Sequence, residues 1–308
     1  MSLRRYEWIL AGFFVYIACV AFLMGRPAGV AGAFVGLAIV VGIARIDAVI
    51  GAVTDRPWTR VLRDWMPPSY ILAAYWSLEP LARGQEARLY DARWVQWDRL
   101  LLHGYGLRQI VEGAGSLLPF SLELAYLLLY GLPTALIGWF YWKRRRDRLE
   151  SFLEVLFASV LLTYALIPWL PSAPPHLEFP RADLPHYLTA LRRLNLWLQN
   201  SADITTGVFP SGHVTVALAC LFGFRRAMPT CAGLHLSLLG YVVLLMVATV
   251  YGRYHYTADV VAAFAVSRVA LALVERLVGW HSASARHSLA ATRLNNKSPQ
   301  GAGASLET

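Results

Sequence analysis

Charged residues are scarce in this chain of 308 residues, where they make up 15% of the total against 57% hydrophobic residues. An ordinary soluble domain has roughly 25% charged residues, so a soluble globular protein is not expected. The 28 basic residues exceed the 19 acidic ones and give a net charge of +9. They fall between apolar runs, whereas nucleic-acid binding needs a basic patch on a soluble surface. We therefore expect no nucleic-acid partner.

Cysteine is also rare, and the three cysteines are Cys19, Cys220 and Cys231. All of them lie in or beside apolar stretches, and their spacing is not that of metal ligands. The sequence therefore predicts neither a disulfide framework nor a zinc site.

Long charge-free intervals indicate how the chain is organised. A helix needs about 20 mostly apolar residues to cross the hydrocarbon core of a membrane. Eight intervals meet or approach this length: Trp8 to Gly25, Pro27 to Ala44, Trp65 to Leu78, Leu117 to Trp142, Val155 to Pro171, Ser211 to Phe224, Leu234 to Tyr251 and Ala258 to Trp280. The sequence therefore predicts an all-α fold, a polytopic membrane helical bundle of about eight spans.

Basic residues in the short loops predict the orientation, because arginine and lysine favour the cytoplasmic side. Four basic groups fall on the same side when spans alternate: Arg4 and Arg5, then Arg56, Arg60 and Arg63, then Lys143 to Arg148, and finally Arg225 and Arg226. An even number of spans then leaves both termini in the cytoplasm. The loops after spans one, three, five and seven lie outside.

The chain is predicted to form one integral membrane domain over residues 1–280. Residues 281–308 are rich in Ser, Ala and Asn and lack apolar periodicity, which predicts a disordered cytoplasmic tail. The loop between spans three and four has apolar residues at near-helical spacing opposite charged ones, which predicts a helix lying flat on the membrane. The apolar set is Leu89, Trp94, Trp97 and Leu101, and the charged set is Arg88, Asp91 and Asp98.

The loop after span five ends in a candidate phosphate site. Ser211, Gly212 and His213 stand where span six begins. Glycine lets the backbone approach a ligand closely, and the first-turn N–H groups of a helix bind anions. A histidine in that turn would place a proton donor beside a bound phosphate. Pro-Ser-Gly is also an ordinary helix start, so this tripeptide alone leaves both interpretations open.

His255 and Asp259 form the second candidate, at the beginning of span eight. Residues four apart share one face of a helix. A carboxylate bonded to one ring nitrogen fixes the tautomer and leaves the other nitrogen as a nucleophile. The alternative is a purely structural pair. Spans six and eight both begin outside, so the topology brings His213 and His255 to the same membrane face, where ionisable groups are usually functional.

These motifs resemble those of the type 2 phosphatidic acid phosphatase superfamily, which includes lipid phosphatases, sphingolipid headgroup transferases and vanadium haloperoxidases. The resemblance rests on Phe209-Pro-Ser-Gly-His213 and His255-Tyr-Thr-Ala-Asp259-Val, and it covers roughly residues 155–280. It implies a six-helix catalytic core. It also implies that His255 attacks phosphorus to give a phosphohistidine, that Asp259 orients His255, and that His213 protonates the leaving oxygen.

The sequence departs from the phosphatase pattern in its positive charges. Thr249 stands where that pattern has an arginine six residues before the nucleophile, and Pro174-Pro175-His176 replaces the upstream Lys-x6-Arg-Pro motif. This arrangement resembles more closely the branch of inositol phosphorylceramide synthase and the sphingomyelin synthases. Arg253 and His176 are the candidates to supply the missing charge. The predicted phosphate-binding set is therefore Ser211, Gly212, Arg253 and His176.

Two further features lie near this predicted site. Leucines and a tyrosine in the loop after span five have the spacing of a short amphipathic helix that would cover the site, namely Leu184, Tyr187, Leu191, Leu194 and Leu198. Tyr126 and Tyr130, in the outer half of span four, are candidates to line a lipid entrance, although aromatic residues there are usually packing or interfacial anchors.

The resemblance implies an enzyme, and the predicted topology places its active site on the extracytoplasmic side of what we expect to be a bacterial inner membrane. It would transfer a phosphoryl or phospho-headgroup from a membrane lipid to an alcohol or to water. No cofactor or metal is expected, because Arg253, the amides near Gly212 and a protonated histidine would stabilise the developing charge. Two alternatives stay open. One is a plain lipid phosphate phosphatase of the phosphatidic acid or polyprenyl pyrophosphate type, and the other is a non-catalytic lipid-binding protein of the same fold.

Overall fold

The computed structural model describes residues 3–53, 58–82, 91–113, 115–204 and 207–295, and none of these residues forms a β-strand. The α-helices are α1 (Arg5–Leu23), α2 (Pro27–Val53), α3 (Trp58–Trp65), α4 (Pro67–Trp76), α5 (Glu79–Ala82), α6 (Asp91–Arg99), α7 (Leu107–Gly113), α8 (Leu117–Leu128), α9 (Leu132–Trp142), α10 (Leu149–Leu166), α11 (Pro175–Glu178), α12 (Ala190–Ala202), α13 (Gly212–Ala227), α14 (Ala232–Tyr251) and α15 (Thr257–Asn295). The chain forms two compact units, Met1–Leu271 and Ala272–Thr308, and the second contains the C-terminal part of α15.

Six helical segments of the described chain are long and apolar enough to cross a membrane. They are Arg5–Leu23, Pro27–Gly51, Leu117–Trp142, Arg146–Trp169, Ala232–Tyr251 and Thr257–Leu277. The protein is therefore an integral membrane protein, and the predicted all-α membrane bundle is confirmed.

Two of the eight predicted spans are not among these six segments. The predicted span from Trp65 to Leu78 is divided, because α3 ends at Trp65 and α4 begins at Pro67 and has only 10 residues. Proline lacks the N–H that would continue the preceding helix, so a new helix starts here. The predicted span at Ser211 becomes α13, which has 16 residues and a largely buried surface. At 1.5 Å per residue it extends about 24 Å, less than a full hydrocarbon core.

Helices α10 and α13 pack closely against each other. Gly223 of α13 allows this approach, because a Cβ atom at that position would lie 2.8 Å from the carbonyl oxygen of Phe152 in α10. Further along the same two helices, the hydroxyl groups of Thr163 and Thr215 are 3.0 Å apart and satisfy each other inside the apolar core. The sequence places a glycine where two helix backbones meet.

Replacing Gly223 with alanine is expected to lower the free energy of unfolding, because the new methyl group would force α10 and α13 apart. Overpacking a core typically costs about 1–3 kcal/mol, and the better helix propensity of alanine offsets about 1 kcal/mol of that cost. Thermal unfolding in detergent measures the effect. Gly240→Ala on α14 is the matched control, since no atom lies within 4 Å of its added Cβ. Equal melting temperatures for the two variants would contradict this account.

Ion pairs connect the N-terminal helices to the rest of the bundle at one end. The guanidinium of Arg63 bonds to Glu7 and lies 3.0 Å from Asp47. Other arginine–carboxylate pairs at this end are Arg4–Asp64, Arg146–Asp64, Arg5–Glu154 and Arg226–Glu154. Arg226 follows His213 by thirteen positions on α13, which is about 20 Å along the axis. Arg226 therefore lies at one end of α13, with the other basic residues of these ion pairs, and His213 lies at the opposite end.

Two local features differ from the sequence-based predictions. α15 continues as helix to Asn295, where a disordered tail was predicted from residue 281, and residues 296–308 lie outside the described chain. Alanine and arginine favour helix over a considerable part of this segment, although it lacks an apolar stripe. In α6, Asp91 and Asp98 are buried rather than turned to water. Arg56, Arg88 and Leu89, used in the predictions of topology and of a surface helix, also lie outside the described residues.

Candidate active site

The beginnings of α13 and α15 are held together by hydrogen bonds. The Ser211 hydroxyl caps α13 by accepting from the Val214 N–H at 3.2 Å, which is the usual role of serine before a first turn. The Ser211 N–H donates to the carbonyl oxygen of Asp259 at 3.2 Å. The carboxylate of Asp259 accepts from the Tyr256 N–H at 2.9 Å. These bonds place the first turns of both helices side by side.

This arrangement brings the two predicted histidines into direct contact. Nδ1 of His213 lies 3.2 Å from Nε2 of His255, although the residues are 42 positions apart in the chain. His255 is buried, and its residue exposure is 5%. Removal of the ring from water lowers the pKa of His255 to about 3, so the imidazole is neutral at neutral pH.

The other ring nitrogen of His255 faces two acceptors. Nδ1 lies 3.1 Å from the carbonyl oxygen of Val208 and 3.2 Å from Oδ2 of Asp259. A carbonyl oxygen has no hydrogen to give, so Nδ1 must carry the hydrogen and donate it. In the neutral ring Nε2 then has the free lone pair, as a nucleophilic nitrogen requires.

The first turn of α13 has amide groups available for an anion. The N–H groups of Gly212 and His213 have no protein acceptor among the described residues. Gly212 also lines the adjoining cavity, and a Cβ atom there would come within 3.4 Å of the Tyr164 ring. Backbone N–H groups at the N-terminus of a helix favour phosphate oxygens.

A cavity of about 370 Å³ opens beside the two histidines. Its wall is mostly apolar with several aromatic side chains, and it includes Ile71, Tyr75, Trp76, Leu129, Tyr130, Pro133, Tyr164, Leu198 and Val216. Asp203 is the one carboxylate among the residues that line it, and none of these lining residues is an arginine or a lysine. Removal from bulk water raises the pKa of Asp203 to about 6. The cavity suits an apolar chain better than a highly charged group.

Arg253 does not line this cavity, contrary to the role predicted from the sequence. Its backbone adopts a left-handed conformation with a φ of 58°, which is uncommon for a residue with a long side chain. The buried guanidinium donates to the carbonyl oxygens of Val250, Tyr251 and Asp183, the last at 2.7 Å. It also lies 4.8 Å from the ring centre of Phe179. Arg253 therefore ties loops together and is not among the residues that line the cavity.

His176 is likewise absent from the cavity wall. Its N–H donates to the carbonyl oxygen of Arg253 at 3.1 Å, and its Nδ1 is buried with no partner among the described residues. Burial, and secondly the charge of Arg192, lower the pKa of His176. Of the predicted phosphate-binding set, the structure brings Ser211 and Gly212 to the histidine pair and leaves Arg253 and His176 outside the cavity.

Sequence reasoning missed a buried polar network behind the site. Arg192 of α12 donates to Glu123 of α8 at 2.9 Å and to the carbonyl oxygen of Gly252 at 3.1 Å. The same carboxylate accepts from Asn195 at 2.8 Å and from the Tyr254 hydroxyl at 2.5 Å. This network fixes the loop that leads to His255.

Only part of α12 matches the predicted apolar cover, because Leu198 lines the cavity but polar residues form the buried face of the helix. The buried residues of α12 are Arg192, Asn195 and Gln199, while Leu194 and Trp197 are exposed. The leucine spacing had predicted a short amphipathic helix that covers the site. The three-and-four spacing of Arg192, Asn195 and Gln199 was the available signal.

Helix α6 braces the loops around the site. Asp91 accepts hydrogen bonds from the hydroxyl of Ser172 at 3.0 Å and from the N–H of Ala173 at 3.1 Å. Asp98 accepts from the N–H of Thr257 at 3.1 Å, at the start of α15. A helix predicted to lie on the membrane surface is thus attached to the loops that position His255.

Tyr126 and Tyr130, predicted near a lipid entrance, both contact His213. Their hydroxyl groups lie 3.0 Å and 3.3 Å from its Nε2. Within the described ranges, no group of three or more His, Cys, Asp or Glu side chains has the arrangement of a metal site.

A sequence model of the PAP2 superfamily matches residues 81–273, which is more than half of the chain. The matched region includes α6, the polar network and both histidine motifs. No curated protein and no solved structure matches the chain.

Proposed function

Because this chain belongs to the PAP2 superfamily and is therefore a phosphatase-type membrane enzyme, we propose that it transfers a phosphoryl or phospho-headgroup from a membrane lipid through a phosphohistidine on His255. The observation that carries this proposal is the contact of His213 with His255, whose far nitrogen bonds to Asp259 and Val208. The chain thus has a nucleophile, an adjacent acid and an orienting carboxylate in one place.

In the first step Nε2 of His255 attacks phosphorus while the bond from phosphorus to the leaving oxygen breaks. His213 gives a proton to that oxygen. Asp259 and the Val208 carbonyl hold the N–H on the opposite side of the His255 ring and stabilise the positive charge that forms there. A nucleophile stands about 3 to 3.5 Å from the reacting atom before attack. The imidazoles are 3.2 Å apart, so the two rings must separate when a phosphate enters.

The charges around the cavity support a phosphodiester as the donor. A phosphomonoester carries about two negative charges near neutral pH, whereas a phosphodiester carries one. Burying an anion without a partner is costly, and among its lining residues the cavity has Asp203 and no arginine or lysine. The groups available to the phosphate are the amides of Gly212 and His213 and the two imidazoles. These groups can stabilise one negative charge on the phosphate better than two. This supports headgroup transfer over removal of a terminal phosphate.

The second step regenerates His255. His213, having lost a proton, takes one from the incoming hydroxyl, whose oxygen then forms the new bond to phosphorus as the phosphorus–nitrogen bond breaks. Water needs no dedicated site, whereas an alcohol must be held in line with phosphorus. The cavity wall has several hydroxyl groups, such as those of Tyr75 and Tyr130, together with Asp203. We propose an alcohol as the preferred acceptor.

Product analysis with labelled donors tests this function. Purified protein is expected to turn over a phosphodiester lipid faster than a phosphomonoester lipid with the same acyl chains. Polyols, amino alcohols or lipid alcohols should raise donor turnover and yield a transfer product.

Turnover of the monoester alone, with water the sole acceptor across the panel, would identify a plain lipid phosphate phosphatase. Failure to turn over any lipid phosphate would favour a non-catalytic lipid-binding protein.

The proposal also places both termini in the cytoplasm of a bacterium and the histidines at the extracytoplasmic face. The basic residues at the other end of α13 support this orientation through the positive-inside rule. In a variant without native cysteines, Ala182→Cys should react with an impermeant thiol reagent added to intact cells, and Asp147→Cys should not. Both positions are exposed, so access decides the result. The reverse labelling pattern would put the active site on the cytoplasmic face.

A further inference from the structure

The hydrogen-bond directions across the two histidines can be traced from one fixed acceptor. The Val208 carbonyl requires the hydrogen of His255 to be on Nδ1, which leaves Nε2 as an acceptor. His213 Nδ1 lies 3.2 Å from that acceptor, so a hydrogen bond between the rings needs the hydrogen of His213 on Nδ1. In a neutral ring Nε2 of His213 is then an acceptor too.

Tyr126 is the better placed donor to that nitrogen. Its hydroxyl lies 3.0 Å from Nε2 of His213, against 3.3 Å for Tyr130. The Tyr126 oxygen already accepts from the Nε2 amide of Gln199 at 2.9 Å, which leaves its own hydrogen to donate to Nε2 of His213. Tyr126 has an exposure of 0%, and its ring stacks on His213 and on Tyr254 at 4.8 Å and 4.1 Å.

We propose that Tyr126 is a positioning residue that holds Nδ1 of His213, and not Nε2, towards the phosphate, so that Nδ1 carries the proton for the leaving oxygen. The tautomer is a property of the resting protein, while the proton transfer rests on the proposed function. The chain Gln199–Tyr126–His213–His255–Val208 has one consistent direction of hydrogen bonding from end to end.

Protonation of the leaving oxygen requires one proton more than neutral His213 can spare, and water supplies it. When the phosphate anion binds, His213 takes up that proton at Nε2, and the Tyr126 hydroxyl, which both donates and accepts, remains bonded to it. The ring gives its Nδ1 proton to the leaving oxygen and is left neutral, with its hydrogen on Nε2. The lone pair now on Nδ1 accepts the proton of the incoming hydroxyl. Tyr126 thus keeps one ring orientation through both steps.

Nitrogen-15 NMR of histidine-labelled protein without substrate tests the tautomer directly. His213→Asn identifies the His213 signals. We expect the protonated nitrogen of His213 to be Nδ1 in the wild type, and we expect Tyr126→Phe to shift the signals towards the Nε2–H form. Tyr130→Phe should leave the tautomer as it is.

Tyr241→Phe is the matched control. The hydroxyl of Tyr241, on α14, donates to the carbonyl oxygen of Ala125 at 2.8 Å, next to Tyr126 on α8, and does not touch His213. A wild-type His213 with its hydrogen on Nε2 would overturn the proposal, even if Tyr126→Phe does not fold. The proposal would also be overturned if the tautomer of His213 changes in Tyr130→Phe or Tyr241→Phe but not in Tyr126→Phe.

Kinetics give a second measurement. Tyr126→Phe should lower kcat about tenfold to a hundredfold, with KM changed less than about twofold. This loss is part of the rate enhancement of about 10²- to 10⁴-fold that a positioned general acid contributes. The loss should be larger for an alkyl than for an aryl leaving group, and equal losses would overturn the role in proton transfer. A wild type inactive on every lipid phosphate refutes the proposed function instead, while the NMR result still decides the tautomer.

Discussion

Replacing His255 with alanine is expected to abolish turnover, with a loss of about 10⁴-fold or more, because the variant lacks the atom that bonds to phosphorus. Removing a catalytic nucleophile from other hydrolases has effects of this size. Release of a labelled headgroup from a lipid donor measures the rate. Rapid quenching of the wild type should also trap a phosphorylated protein that is stable in base and labile in acid, as a phosphohistidine is, and His255→Ala should trap none.

Two further variants make this test specific. Asp259→Asn should retain some activity, since the Val208 carbonyl still accepts the Nδ1 hydrogen of His255. His186→Ala removes an exposed imidazole from the loop before α12 and should have the wild-type rate. Unfolding temperatures show whether each variant is folded. Wild-type turnover by a folded His255→Ala protein would show that another group attacks phosphorus.

Replacing His213 with alanine is expected to lower turnover of an alkyl phosphodiester about 10²- to 10⁴-fold, the usual contribution of a general acid. The loss should depend on the leaving group. A 4-nitrophenyl ester of the same lipid phosphate departs without a proton, so its turnover should fall far less. The ratio of the two rates, measured in wild type and variant, separates acid catalysis from a general loss of structure. The same loss for both esters would mean that His213 serves packing or binding only.

Much of the site follows from the sequence, because helices impose short-range geometry. The interval of four between His255 and Asp259 predicts that their side chains meet, and they lie 3.2 Å apart, although His255 stands two residues before α15 begins. The alternation of spans predicts that His213 and His255 meet at one face, and the structure has their rings in contact. These inferences needed only residue spacing and the number of crossings.

The direction of long side chains did not follow from the sequence. Arg253 stands two residues before His255, yet its left-handed backbone turns the guanidinium towards loop carbonyls. No pattern of residue types indicates a positive φ at an arginine. The burial of Asp91 and Arg192 was missed for another reason. Polar residues near a membrane surface can face either water or the protein, and their partners here come from distant segments of the chain.

The contact between the two imidazoles has a consequence for how the protein selects among phosphate esters. At rest the lone pair of His255 is occupied by the N–H of His213, and separating the rings costs that hydrogen bond. In the proposed function a lipid offsets the cost, because its apolar part would enter the adjoining cavity, and binding energy from a remote part of a substrate can drive rearrangement at the reacting centre. A small water-soluble ester presents the same phosphate but lacks that energy. Discrimination against such esters would then appear in kcat as well as in KM, and the cell's soluble phosphates would be spared without any barrier that excludes them.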